Sequence, residues 1–485
     1  MDRLLRITFL LLIASASCAS DVVLVVPEPL TSAVDTWKAF RESQGHRVVT
    51  VTPSFGTAET VRRMQAAFGR LGEPSAPRTV ILVGDGGPGG APTGLVASKV
   101  VHRWGPERNI ATDIAYADTD GDGAIDASVG RLPFHERGAL EDYLDRVIQR
   151  EQSPPALTDR DLRLVAGFGG FSPLIDMTIE ASAKVLVNRY APLTSHVSLT
   201  KLQDADAGAA AWRSLQAPRG VWVYMGHGLR DRLQGMPSNP AASFSRSGAD
   251  AAVLLACYAG AYEREQDCFA ESLIKDPSGP LVVVASTRVS APYGNAAIGL
   301  GLLRQLNEEG AEDYGSALLA AKQMSQGASS DDSIRLLGSV AATAIGQGYA
   351  PEEEIVDHQA MYHLLGDPLL QISRPQPLEI EAAVLQESNG ALLVSGVAPH
   401  DGQLRVELAK GHGTSPVRAA ERLTRSGEPF HIKVSTSSVG TGTWRVTATL
   451  LGPRDLSVGS TQVLLGKATA ASRIASEPSR EGRLR

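Results

Sequence analysis

The chain has 485 residues, 43% of them hydrophobic and 5% aromatic, with a formal net charge of −7. That length holds two or three domains, and that apolar content is enough to give them cores. A mildly acidic balance, with no basic block and no interleaving of basic and aromatic residues, argues against nucleic acid as a partner.

Residues 1–19 read as a secretory signal, with Arg3 and Arg6 before an apolar run from Ile7 to Ala14 and small residues up to a cleavage point after Ala19. The run is too short to span a bilayer, and no later segment has the uninterrupted apolar length to do so. The expectation is an exported protein, secreted or held in the periplasm or at the cell surface, and not integral to a membrane. Cys18 offers a second reading, a lipid anchor, although Ser15 at the third position before it fits a lipoprotein signal poorly.

Residues 20–155 alternate strand-like runs at 22–26, 46–52 and 79–83 with amphipathic helical patterns at 32–43 and 58–71. A helix at about 138–151, followed by Ser153-Pro154-Pro155, closes this segment. That βαβ order predicts a mainly parallel, three-layer αβα sheet. The pattern restarts in residues 156–374, with strands at 162–165, 196–199, 221–225, 252–256 and 281–285 and helices at about 175–187, 296–305, 316–324 and 332–344. Two successive α/β sheets are expected. From about residue 375 the rhythm changes to short alternating strands at 378–384, 391–396, 403–409, 430–434, 442–450 and 461–465. Residues 375–466 therefore read as a small β-sandwich, and the polar end, 467–485, as disordered.

The run Asp118-Thr119-Asp120-Gly121-Asp122-Gly123-Ala124-Ile125-Asp126 alternates carboxylates in a Gly-containing loop. Hard oxygens at that spacing suit Ca²⁺, with Asp118, Asp120, Asp122 and Asp126 as candidate ligands and Asp113 in support. The loop departs from an EF-hand where Val129 stands in place of the bidentate Glu, and the flanking helices are missing. A structural Ca²⁺ loop and a solvated acidic turn both stay open. The glycine-rich stretch after Asp85 lacks the Gly-Lys-Ser/Thr ending of a phosphate loop, so no organic cofactor is expected. His102 and His363 read as structural, and Asp204 and Asp206 as carboxylates at a helix start.

The sharpest signal is a pair of strand ends. Strand 221–225 runs into Gly226-His227-Gly228, and strand 252–256 into Cys257-Tyr258-Ala259-Gly260. Neighbouring parallel strands end at one sheet edge, so a His and a Cys just past those ends approach within hydrogen-bond reach. Gly-His-Gly alone is weak, because it recurs at Gly411-His412-Gly413, where it reads as a hairpin connection. Cys268 opens a helix at 269–274 and reads as a packed free thiol; a bridge to Cys257 would consume the candidate nucleophile.

Several runs resemble the gingipain-type cysteine peptidases of the caspase-like clan. They are Tyr224-Met225-Gly226-His227-Gly228, the stretch from Ala256-Cys257-Tyr258 through Cys268-Phe269-Ala270-Glu271-Ser272-Leu273, and Ala285-Ser286-Thr287-Arg288-Val289-Ser290. Leu82-Val83-Gly84-Asp85 and Val129-Gly130-Arg131-Leu132-Pro133 look like the upstream landmarks, and Gly366-Asp367-Pro368 like the closing one. The resemblance covers residues 21–374 and implies two caspase-like halves with the chemistry in the second. It implies Cys257 as nucleophile, His227 as general base and acid, protein or peptide substrates, and an immunoglobulin-like module in the C-terminal β region. A thiol with an ordinary pKa of about 8.5 is only a few per cent ionised at neutral pH, so the imidazole is needed. The amides of Gly228 and Cys257 are candidates to donate to the oxyanion.

One departure matters. The family's acidic residue that orients the histidine precedes a Gly-Gly pair, and the matching position here is Phe168. That leaves a Cys-His dyad and keeps open a second reading, an exported, catalytically impaired homologue that binds peptide or a surface partner. The family's specificity carboxylate lies a little beyond the Gly-Gly pair; Asp176 and Glu180 are the candidates, without a clean alignment.

Overall fold

The structure, a computed structural model, describes residues 19–465 except 55, 73–75, 87–96, 104, 155, 158–160, 168–195, 202–219, 237–248, 308–309, 327–331, 346–347, 386–390, 411–416 and 437–438. Its first strand, β1 (Asp21–Val25), is an unbroken apolar run after Asp21 and is buried along its whole length. A strand with apolar residues at consecutive positions has both faces to cover, and it does so here by lying inside a parallel sheet. β1 pairs in parallel with β2 (Arg47–Val51) on one side and β3 (Arg78–Val83) on the other. The helices α1 (Asp35–Ser43) and α2 (Thr57–Leu71) make the crossovers.

After β3 come a two-stranded hairpin, β4 (Ser98–Val101) and β5 (Asn109–Thr112), then β6 (Ala127–Leu132) and α3 (Arg137–Gln152). The second half supplies β7 (Asp161–Ala166), β8 (His196–Lys201), β9 (Gly220–Met225), β10 (Ala251–Leu255), α4 (Phe269–Lys275) and β11 (Val282–Ser286). It ends with α5 (Pro292–Asn307), α6 (Tyr314–Gln326), α7 (Asp332–Ile345), α8 (Pro351–Met361) and β12 (Tyr362–Gly366).

The two expected sheets are one. Ten strands run in the order β2-β1-β3-β6-β12-β11-β10-β9-β7-β8. The join is β12, which pairs antiparallel with β11 and parallel with β6. The first-half strands therefore run opposite to β9, β10 and β11. In consequence, the segments leading into β6 and β12 come to the edge where β9, β10 and β11 end. One apolar core continues under both halves, from Val22 and Leu24 to Leu365 and Leu370.

Neither α8 nor β12 is announced by the sequence. The buried residues of α8 include Glu354, Asp357, His358 and Gln359 beside Ile355 and Met361, so the apolar spacing of an amphipathic helix is missing. The closing landmark is also a packing centre. Asp367, fully buried, accepts from Trp37 Nε1 at 2.6 Å and from Arg41 at 2.6 Å, and Arg41 reaches Glu151 at 2.8 Å. A buried cation of this kind is tolerated only because carboxylates flank it.

The C-terminal region forms a five-stranded sheet, in the order β13 (Gln376–Pro377), β20 (Leu456–Leu465), β19 (Gly442–Leu451), β16 (Gly402–Ala409) and β17 (Arg418–Thr424). A three-stranded sheet of β14 (Ile380–Leu385), β15 (Ala391–Val397) and β18 (Pro429–Ser435) shares its core. Strict alternation in β18 sends Phe430, Ile432 and Val434 inward to meet Leu404, Val406 and Trp444. β17, unforeseen in the sequence, pairs antiparallel with β16, and Gly411-His412-Gly413 lies outside the described residues. Among the described residues no helix is long and apolar enough to cross a membrane.

Candidate active site

β9 and β10 pair in parallel with Met225 opposite Leu255. His227 and Cys257 each stand two residues beyond that pair, so they occupy matching positions on strands about 4.8 Å apart. The N–H of Gly226 reaches Leu255 O at 3.3 Å, carrying the register one step past the strand ends. Beyond His227 the chain turns back on itself. Gln234 N–H donates to His227 O at 3.0 Å, and Leu229 N–H to Arg232 O at 2.8 Å. The Tyr224 hydroxyl donates to His227 O at 2.9 Å, which anchors the turn to β9. Neither ladder bond of this turn uses the N–H of Gly228.

Gly228 is where the two strand ends touch. A Cβ there would fall 2.5 Å from the Cys257 carbonyl oxygen and 2.9 Å from Ala256 Cβ. Only a glycine lets the histidine's turn lie this close to the cysteine's.

Cys257 is half-buried, and its sulfur lies against one residue of the loop after β11. Ser290 N–H points to Sγ at 3.4 Å, and the thiol reaches Ser290 O at 3.5 Å. Burial pushes the Cys257 thiol up, the Ser290 amide pulls it down, and the Glu107 charge adds to the rise. In the turn after Cys257, Tyr258 takes the left-handed conformation, φ 58°, which costs a non-Gly residue about 1–3 kcal/mol. Tyr258 N–H is held by Arg288 O at 3.1 Å, and Gly260 N–H by Ser286 O at 2.8 Å.

Cys268 is fully buried, and among the described residues neither it nor the half-buried Cys257 is in a disulfide. It stands at the start of α4, where its N–H donates to Glu271 Oε2 at 2.8 Å. Burial pushes its thiol well above the ordinary range, and the Glu271 charge adds to the effect.

Phe168, Asp176 and Glu180 lie outside the described residues. Gly167, just before Phe168, donates its N–H to Met225 O at 2.7 Å, so the end of β7 adjoins the strand that carries His227.

In the acidic loop Asp118, Asp120 and Asp122 each present an oxygen within 4.8 Å of one another. Asp126 is not brought to them: its carboxylate closes a turn on Thr119, taking the backbone N–H at 3.0 Å and the hydroxyl at 2.7 Å. Asp113 is committed elsewhere, to Arg131 at 2.6 Å and 2.8 Å. A second acidic group, missed in the sequence, joins Asp85, Asp267 and Glu271. Lys275 answers its charge, 2.6 Å from Asp267 and 3.9 Å from Glu271. Burial pushes Glu271 up to about 8.

Glu107, Tyr258 and Ser290 were also missed as contributors to the site. Ser290 sits in a run already noted for its resemblance, and its place one loop beyond a buried strand was the available signal. Glu107 lies far upstream and carried no signal.

Sequence comparison with curated proteins gives no match. The solved structures similar to this chain include "Complex of Porphyromonas gingivalis RgpB pro- and mature domains", at 14% identity and TM-score 0.53, covering 92% of this chain and 99% of that one. A "Crystal structure of the Arg specific cysteine proteinase gingipain R (RGPB)" follows at 14% identity and TM-score 0.51, covering 92% and 98%. A third, "Structure of Protease", has 15% identity and TM-score 0.57, covering 92% and 97%. At such identities the likeness speaks for the fold, a mixed α/β architecture on a large, mostly parallel sheet. The family model of peptidase family C25 matches residues 15–373. The chain belongs to peptidase family C25, the gingipain family of cysteine peptidases.

Proposed function

We propose that the protein is an exported cysteine endopeptidase working through a Cys257–His227 dyad. The observation that carries this reading is the register: residues 227 and 257 stand at matching positions past two paired strand ends, and Gly228 lies close against the Cys257 backbone. His227 takes the proton of Cys257 as Sγ forms a bond to the carbonyl carbon of the scissile peptide. The electron pair displaced onto the carbonyl oxygen is met by the N–H groups of Gly228 and Cys257. Collapse breaks the C–N bond, and the imidazolium gives its proton to the leaving amine. Water, deprotonated by His227, then hydrolyses the thioester and returns the thiol. Asp176 and Glu180 are the proposed specificity carboxylates.

The same reading gives Ca²⁺ to the loop of Asp118, Asp120 and Asp122, in a structural role that suits hard carboxylate oxygens. Asp126 supports the loop through Thr119. Residues 1–19 act as the export signal, with a lipid anchor at Cys18 as the alternative end. Residues 20–155 and 156–374 form the two caspase-like halves, and 375–466 an immunoglobulin-like β-sandwich; residues 467–485 lie outside the described residues.

A second reading, an impaired homologue that binds peptide or a surface partner, is favoured by Phe168 in the acid's place and by the raised Cys257 thiol. Cleavage of a diverse peptide library, in reductant, with and without Ca²⁺, separates the two. Cuts that vanish in Cys257→Ala establish the thiol peptidase. An intact library under every condition leaves the binding reading.

A further inference from the structure

The loop between β4 and β5 belongs to the first half of the chain, yet it ends against the nucleophile's turn in the second. The Tyr258 hydroxyl donates to Glu107 Oε1. Arg288, whose carbonyl holds Tyr258 N–H, donates from Nε to Asn109 O at 2.8 Å and from its guanidinium to Glu263 at 2.6 Å. Side chain and backbone of Tyr258 are thus tied, by separate routes, to residues 107–109. Among the described residues Tyr258 is the one non-glycine in the left-handed region. A bulky residue stays there only where its surroundings over-determine it.

Glu107 is itself built in. Its second oxygen is buried, has no hydrogen bond among the described residues, and lies 3.4 Å from Nδ1 of the enclosed His102 ring. His102 Nε2 lies 3.7 Å from Asp357 of α8, and Asp357 takes Arg103 N–H at 2.9 Å. Gly105 folds over the imidazole so closely that a Cβ there would fall 1.7 Å from Cε1. The loop is shaped around its own histidine and fastened to α8, which fixes Glu107 before any substrate arrives.

We propose that Glu107 is a positioning residue of the thiol site: its carboxylate clamps the Tyr258 hydroxyl and holds the left-handed turn that presents Cys257. The proposal rests on the cysteine-peptidase reading for its consequence in turnover, whereas the clamp is a property of the folded turn. The carboxylate does two separable things. It accepts a hydrogen bond, and its charge, facing Tyr258, His102 and the thiol with Asp357 and His358 behind, opposes ionisation of Cys257. Glutamine keeps the acceptor and removes the charge.

The test follows alkylation of Cys257 by iodoacetamide against pH, by mass spectrometry on the full chain, together with kcat/KM on a cleaved peptide. In Glu107→Gln the alkylation midpoint moves to lower pH. Glu107→Ala and Tyr258→Phe change the alkylation rate and lower turnover by about tenfold or more, the scale of a misplaced reacting group, while Gln retains more turnover than Ala. Tyr258→Phe removes the clamp even if Glu107→Ala does not fold. A chain that cleaves nothing still reports the clamp through alkylation, so failure of the peptidase reading is seen separately. An unmoved midpoint in Glu107→Gln, with Tyr258→Phe alkylated like the unaltered chain, overturns the proposal.

Discussion

Cys257 and Cys268 lie in one connection, from β10 to α4, and their surroundings make different groups of the same thiol. Cys257 ends a central strand, half-exposed, with a strained turn behind it and Ser290 N–H at 3.4 Å. Cys268 sits at a helix start, a place that ordinarily lowers a thiol pKa. Here it does not. A helix terminus contributes about 0.3–1 kcal/mol, whereas full burial moves a pKa by up to about 3–5 units, each of about 1.4 kcal/mol. Burial wins, and the Glu271 carboxylate beside Cys268 pushes further in the same direction. The proposed nucleophile is thus set apart from Cys268 by strand-end placement and access, not by a favourable local dipole.

The comparison breaks most visibly in a labelling experiment. In the native protein, iodoacetamide modifies Cys257 about 100-fold faster than Cys268 or more, and in denaturant the two rates converge; peptide mass spectrometry reads both. Equal native rates would mean that Cys268 is not sealed. Next in size, Gly228→Ala forces a Cβ to within 2.5 Å of the Cys257 carbonyl oxygen and separates the two strand ends. Its kcat/KM falls by about 100-fold, the usual cost of a 1 Å misplacement. By contrast Cys268→Ala leaves kcat/KM within about twofold and lowers stability by about 1–2 kcal/mol through lost packing, as read by denaturant unfolding.

The last effect is one of pH, on the Cys257 side. Burial pushes the Glu354 carboxyl up to about 7, and its oxygen takes the Gly294 N–H at 2.6 Å in the helix that follows the Ser290 loop. Across the window from the ordinary carboxylate value of 4.5 to about 7, the folded state holds a proton that the unfolded state has released. Stability therefore falls as pH rises through that window, by at most about 1.4 kcal/mol per pH unit, and levels above it. Melting curves of Glu354→Gln should lose this slope.

The sheet was legible where strands are buried on both faces, because runs such as Val22 to Val26 and Val253 to Ala256 carry no polar interruption. His227 and Cys257 were legible because each follows such a run. The fusion of the halves was not, since it depends on β12 entering antiparallel straight from α8, with no turn residue between Met361 and Tyr362. Nor was the departure of Asp126 from its fellow carboxylates, which the Thr119 side chain decides. Glu107 was beyond reach for a third reason: its role arises from a contact spanning 151 positions of chain.

The central claim, that Cys257 is a nucleophile served by His227, is tested most directly by a peptidyl electrophile followed by intact-mass and peptide mapping. The account predicts one adduct, on Cys257, formed at least about 100-fold more slowly in His227→Ala at neutral pH, where an unaided thiol is scarcely ionised. No adduct on Cys257, or equal labelling with and without His227, would contradict it.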